Sequence, residues 1–147
     1  MGPEYWNLEL GKLETNSHGR VVAMGVLPCS SPEAAATGVS FVAESDGLYG
    51  IVSGPTIAGL LLDDPQLDIV WERLVLLDLP VFFHPENGVA LELLQGHRHT
   101  LPVGVGFPLE TTIALSRLVF GGVLERYPDL RILVAHGGGR SARPLVL

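Results

Sequence analysis

Two apolar runs that each end in a histidine and then a structure-breaking residue constrain this chain more than any other feature. Val81-Phe82-Phe83 runs into His84-Pro85, and Ile132-Leu133-Val134-Ala135 runs into His136-Gly137-Gly138-Gly139. Neither run alternates polar with apolar residues, so each reads as a strand buried on both faces, the pattern of a parallel sheet covered by helices. Proline and glycine stop regular structure, which places each histidine at the carboxyl end of its strand. In parallel α/β sheets and (β/α)₈ barrels that end collects ligands and catalytic side chains, because the loops there can vary without disturbing the packed sheet.

The rest of the chain repeats the same rhythm. Residues 1–19 carry a weak helical period (Trp6, Leu10, Leu13) and end in the turn composition Asn16-Ser17-His18-Gly19, with His18 a solvated loop residue. Arg20 to Leu27 reads as a first strand, stopped by Pro28. Ser31-Pro32-Glu33 is an N-cap, a first-turn proline and an acid at the positive helix end, so a helix is expected from Pro32 to Glu44, although Gly38-Val39 weakens it. Leu48 to Val52 reads as a second strand, and Ser53 to Asp63 as a loop over the same carboxyl face as His84. Asp64-Pro65 opens a helix whose Leu67, Val70, Trp71 and Leu74 form one apolar stripe, which makes Trp71 a core residue. Residues 85–106 form a long connection punctuated by Gly and Pro, of a length that is usually functional. A helix from Pro108 to about Arg126 is expected to bury Leu115, Leu118, Val119 and Gly122. Tyr127-Pro128-Asp129-Leu130 turns the chain into a strand from Arg131 to Ala135. The order β-α-β-α-β-α-β implies parallel strands with crossover helices, as in doubly wound sheets and (β/α)₈ barrels alike.

Composition narrows the class. A chain of 147 residues, 47% hydrophobic and 17% charged, is one domain's worth of material and too apolar to be disordered. A mean hydropathy of +0.36 suits strands with no polar face. No uninterrupted apolar run approaches the roughly 18 to 20 residues of a membrane span, and Met1-Gly2-Pro3-Glu4 starts no signal peptide, so a cytoplasmic protein without a membrane partner is expected. Sixteen acidic against nine basic side chains, a formal charge of −7, argue against a nucleic-acid surface. The single cysteine, Cys29, reads as a small apolar filler beside a strand end rather than a nucleophile, since no His or Asn lies near it in sequence.

Imidazole is the commonest side-chain ligand for zinc-like ions and the usual acid or base near neutrality. Neighbouring parallel strands lie roughly 4.8 Å apart, so His84 and His136 could share one ion or reach one substrate. The alternative is that each only hydrogen-bonds backbone at a strand end. Gly137-Gly138-Gly139 could cradle a phosphate, but Arg140-Ser141-Ala142-Arg143-Pro144 is a poor helix start for that purpose. Asp63 and Asp64 look like a carboxylate pair, yet Asp64 serves as an N-cap; Glu110 is a first-turn acid, and His97 and His99 are exposed loop residues by default.

Taken in order, His84-Pro85, Gly106-Phe107-Pro108-Leu109-Glu110-Thr111-Thr112, Gly121-Gly122-Val123-Leu124-Glu125-Arg126-Tyr127-Pro128-Asp129-Leu130 and Ala135-His136-Gly137-Gly138-Gly139 resemble the decarboxylase branch of the amidohydrolase superfamily. That branch includes the aminocarboxymuconate-semialdehyde, γ-resorcylate, methylsalicylate and isoorotate decarboxylases, and the resemblance runs from about residue 19 to 139. It implies a partial (β/α)₈ TIM-type barrel, residues 1–147 forming one amidohydrolase-related domain truncated at both ends. It further implies a divalent ion, zinc or else manganese, with His84 as a metal ligand, His136 as the catalytic histidine, and His99 and Phe107 lining the substrate pocket. The expected activity is non-oxidative decarboxylation of a small aromatic or unsaturated carboxylic acid, with full-length relatives as homodimers. Hydrolysis of an ester, lactone or amide, and an inactive remnant, are the alternatives. The family's His-x-His pair and late-strand Asp have no counterpart here: His97-Arg98-His99 has the spacing of the pair but lies in the wrong loop.

Overall fold

The computed structural model describes residues 2–86, 94 and 101–141. His97 and His99 lie outside the described residues, as does most of the 85–106 connection. Four strands, β1 (Ala23–Val26), β2 (Leu48–Ser53), β5 (Val81–Phe83) and β6 (Ile132–Val134), form one sheet in the order β1-β2-β5-β6. All its pairings are parallel. Between β2 and β5 the expected plain loop is instead a hairpin, β3 (Thr56–Ile57) and β4 (Leu60–Leu61), which turns on Ala58 and Gly59, both at positive φ. The hairpin sends Ile57 and Leu62 fully into the core.

Helices cover one face of the sheet. Helix α1 (Pro3–Asn16) is anchored by Asn7, only 1% exposed, whose carboxamide accepts from Val26 N–H at 2.8 Å and donates to Val26 C=O at 3.0 Å. A side chain thus satisfies backbone groups that an edge strand otherwise leaves open. Helix α2 spans Pro32–Glu44 as its start signals imply, with Ser31 Oγ accepting from Ala34 N–H at 3.1 Å. Gly38 does not break it, because the missing side chain makes room for the Pro28 ring. Asp64 caps a 3₁₀ turn (Pro65–Leu67) by accepting from Gln66 N–H at 2.9 Å, and the turn leads into α3 (Asp68–Leu76). Leu67, Val70, Trp71 and Leu74 are all buried, and Trp71 meets Phe83 edge-on at 6.4 Å.

The next helix departs from expectation at both ends. A π-helical turn (Pro102–Gly106) precedes α4 (Phe107–Phe120), so part of the expected loop is helical. At the other end Gly122, at φ +71°, stops α4 instead of joining its buried stripe, and a short α5 (Val123–Arg126) follows. The buried side of α4 is Glu110, Thr111, Ala114 and Leu118. Pro102–Phe120 is also 19 residues of continuous helix with hydropathy 1.3, long and apolar enough by length and composition to cross a membrane, which no run in the sequence suggested.

The strands are not buried on both faces. Ile51, Val81 and Phe83 point under the helices and are buried. Val26, Val52, Phe82 and Leu133, which stand opposite one another across the four strands, form a row that is only partly covered, Leu133 being 50% exposed. In a (β/α)₈ barrel that row faces the interior, where layers of apolar side chains from all eight strands fill the space. The wall seen here contributes four of those strands.

Candidate active site

Both histidines emerge where the strands end. The His84 N–H donates to Ser53 C=O at 2.9 Å, prolonging the β2–β5 ladder by one rung before Pro85 stops it. His136 follows β6 after Ala135, and since β5 and β6 are hydrogen-bonded neighbours the two imidazoles come together with ring centroids 5.7 Å apart and planes tilted by 50°. Both residues are exposed at the open side of the strand ends.

His84 Nδ1 lies 2.8 Å from Pro85 C=O. A carbonyl oxygen can only accept, so Nδ1 carries the proton and Nε2 presents its lone pair. That is the arrangement of a metal-ligating histidine whose second nitrogen is held by backbone. As an ion site the surroundings are incomplete: among the described residues no group of three or more His, Cys, Asp or Glu could hold a metal. His84 fits the role of one ligand in a set the described residues do not complete.

The His136 backbone is left-handed at φ +53°, ψ +32°, a conformation that costs a non-glycine residue roughly 1–2 kcal/mol. Gly137 and Gly138 continue in the same region, and Gly139 leaves it at φ +63°, ψ −129°. A Cβ on Gly139 would overlap Thr112 Oγ1 and Pro108 C=O, so the turn sits directly on the first turn of α4. Positive φ and close approach to α4 thus account for these glycines without a phosphate. From the same turn of α4, Phe107 places its ring 6.4 Å from the His136 imidazole at 31°, and Thr111 Oγ1 lies 3.4 Å from His136 Nδ1.

A depression of about 240 Å³ lies beside His84, with Val26, Cys29, Ser53, Gly54 and Glu86 among its walls. Cys29 is exposed there, its thiol 3.6 Å from Leu27 C=O, and is therefore not the buried filler its sequence context suggested. Cys29 and Ser30, after Pro28, are both exposed. Asp63 and Asp64 do not act as a pair, since Asp63 binds Arg117 at 3.1 Å while Asp64 caps its helix. Glu110 is a first-turn acid as expected, but it faces inward and is 8% exposed. Thr111 and Glu86 were given no site role from sequence. Of these only Thr111 carried a signal: it is one helical turn beyond Phe107 and so shares its face.

With this geometry established, the comparisons with known proteins define the class. The amidohydrolase family profile matches residues 7–145, and the chain belongs to that family. It is 33% identical over 136 residues to the 2-amino-3-carboxymuconate-6-semialdehyde decarboxylase of Dictyostelium discoideum, covering 92% of this chain and 37% of that protein. Among solved structures, apo Metarhizium anisopliae IDCase superimposes with a TM-score of 0.87 at 34% identity, covering 93% of this chain and 38% of the other. The 5-carboxyvanillate decarboxylase of Novosphingobium aromaticivorans, complexed with manganese and 4-hydroxy-3-methoxy-5-nitrobenzoic acid, gives a TM-score of 0.77 at 27% identity over 93% of this chain and 39% of its own. The chain therefore spans about two fifths of the length of the relatives it matches, and its parallel sheet with crossover helices is the (β/α)₈ wall they share.

Proposed function

We propose that this chain is part of a metal-dependent, non-oxidative decarboxylase of small aromatic or unsaturated carboxylic acids. The observation that carries the proposal is the pairing of His84 and His136, 5.7 Å apart at the ends of adjacent parallel strands, in a chain whose relatives are decarboxylases. His84, its proton held on Nδ1 by Pro85 C=O, offers Nε2 to a divalent ion, zinc or, as in the 5-carboxyvanillate enzyme, manganese. Held there, such an ion would supply positive charge to the substrate's carboxylate. His136 delivers a proton to the carbon that bears the carboxylate; the bond from that carbon to the carboxylate then breaks, and its electron pair stays with the carbon as carbon dioxide leaves. Phe107, packed near the His136 ring, borders the substrate. The remaining ligands come from parts of the barrel that these described residues do not supply.

Carbon dioxide release tests this reading. A protein that carries these residues together with its full ligand set is loaded with manganese or zinc and offered γ-resorcylate, 5-carboxyvanillate, isoorotate and aminocarboxymuconate semialdehyde. Release that depends on the ion and disappears in His136→Ala is the expected result. Incorporation of solvent oxygen without carbon dioxide would move the reading to hydrolysis, and neither reaction in a protein with stoichiometric metal would overturn it.

A further inference from the structure

We infer that Thr111 is a positioning residue that sets the tautomer of His136, keeping the neutral ring's proton on Nδ1 and the lone pair on Nε2. The inference deepens the role proposed for His136 and rests on that reading for its catalytic meaning, although the geometry stands by itself.

Thr111 is 2% exposed on the inward face of α4. Its hydroxyl has one hydrogen and two candidate acceptors, Phe107 C=O at 3.0 Å and His136 Nδ1 at 3.4 Å. A helical threonine readily bonds the carbonyl four residues back, and here that contact is the shorter. With its hydrogen spent on Phe107, Oγ1 can only accept from Nδ1, which must then be the N–H. The ring also has neighbours on the same helix. The Phe107 ring lies 6.4 Å from it at 31°, and the Gly137-Gly138-Gly139 turn is seated against Pro108 and Thr112. One turn of α4 therefore supplies a neighbouring ring, a hydroxyl acceptor and a backbone seat for the same imidazole. Its Nε2 is left as the nitrogen that takes up a proton, and on giving that proton to a substrate carbon the ring returns to the form Thr111 stabilises.

The test reads the tautomer, not turnover. The chain is labelled with ¹⁵N-histidine, the His136 signals are assigned by their loss in His136→Gln, and long-range ¹H–¹⁵N spectra are recorded without metal or substrate at about pH 9, well above the ordinary histidine range. Wild type should show Nδ1 as the protonated nitrogen; protonation at Nε2 instead overturns the inference before any Thr111 variant is made. Thr111→Val, which keeps the shape and removes the hydroxyl, should lower the ratio of the Nδ1–H to the Nε2–H form roughly fivefold, the effect of one ordinary hydrogen bond, while Thr111→Ser restores it. An unchanged ratio in a folded Thr111→Val chain also overturns it. Because neither ion nor substrate is present, failure here leaves the decarboxylase proposal standing, and failure of the carbon dioxide assay leaves the tautomer result standing.

Discussion

At the scale of single residues the two histidines are chemically alike and are separated by what their Nδ1 atoms meet. His84 meets a neighbouring carbonyl and His136 a buried hydroxyl, and both present Nε2. In a protein with its full ligand set, His84→Ala should lose bound metal, whereas His136→Ala should keep the metal and lose turnover by about 100-fold or more, the scale of one proton-transferring side chain. Metal analysis beside steady-state rates checks this, and the reverse pattern would mean the two roles are exchanged. Trp71 offers a stability test of a different kind. Its indole Nε1 is buried without a hydrogen-bond partner among the described residues, a group that costs about 1–3 kcal/mol to desolvate. Trp71→Phe removes that N–H and keeps a ring against Phe83, so it should destabilise far less than Trp71→Ala, for which about 3–5 kcal/mol is expected. Urea unfolding of the two variants decides it.

At the scale of elements, boundaries follow local chemistry where a side chain caps or a proline starts a helix. Ser31 and Pro32 fix the start of α2, and Ser31→Ala should cost about 1 kcal/mol through the Ala34 N–H left without its partner. Glycines that look alike in sequence differ sharply in place. Gly122 is left-handed, but a Cβ there finds its nearest neighbour at 3.6 Å, so Gly122→Ala should cost only the conformational 1–2 kcal/mol or so. Gly139 combines a backbone suited to glycine with contact against α4, and Gly139→Ala should cost more than about 3 kcal/mol and dislodge His136 as well. Thermal or urea unfolding of the pair, read beside the His136 tautomer, tests the difference. The β3–β4 hairpin escaped sequence reading because its strands are two residues long, too short for any period to show. The early start of α4 escaped because Pro102, Gly104 and Gly106 are helix breakers that a π-helical turn, continuous with a long helix behind it, nonetheless accommodates.

At the scale of the whole molecule the sheet is, among the described residues, a wall with one face only partly covered. Val26, Val52, Phe82 and Leu133 stand in a row that a closed barrel would fill with side chains from facing strands. An apolar face and an open strand edge both favour association. These 147 residues expressed alone should therefore associate, and they should hold no stoichiometric metal, because the described residues bring together only one clear ligand. Size-exclusion chromatography with light scattering and metal analysis measures both; a monomer carrying one tightly bound ion and releasing carbon dioxide would contradict the expectation. Phe82→Glu or Leu133→Glu should reduce that association while leaving the buried side of the sheet intact.

Apart from the β3–β4 hairpin and the two ends of α4, the local pattern determined which segments become strands and helices, that the strands run parallel, and that His84 and His136 leave them at the same end. Those properties depend on residues close in sequence: an apolar run, a breaker after it, a cap before the next helix. Tertiary structure alone decided that the strand of His84 lies beside the strand of His136, that Cys29 faces solvent, and that Thr111 meets an imidazole 25 positions away. Such contacts arise from the order in which strands pair and from the seat that α4 offers the glycine turn, and no period or spacing along a single chain encodes a distance between elements that only packing brings together.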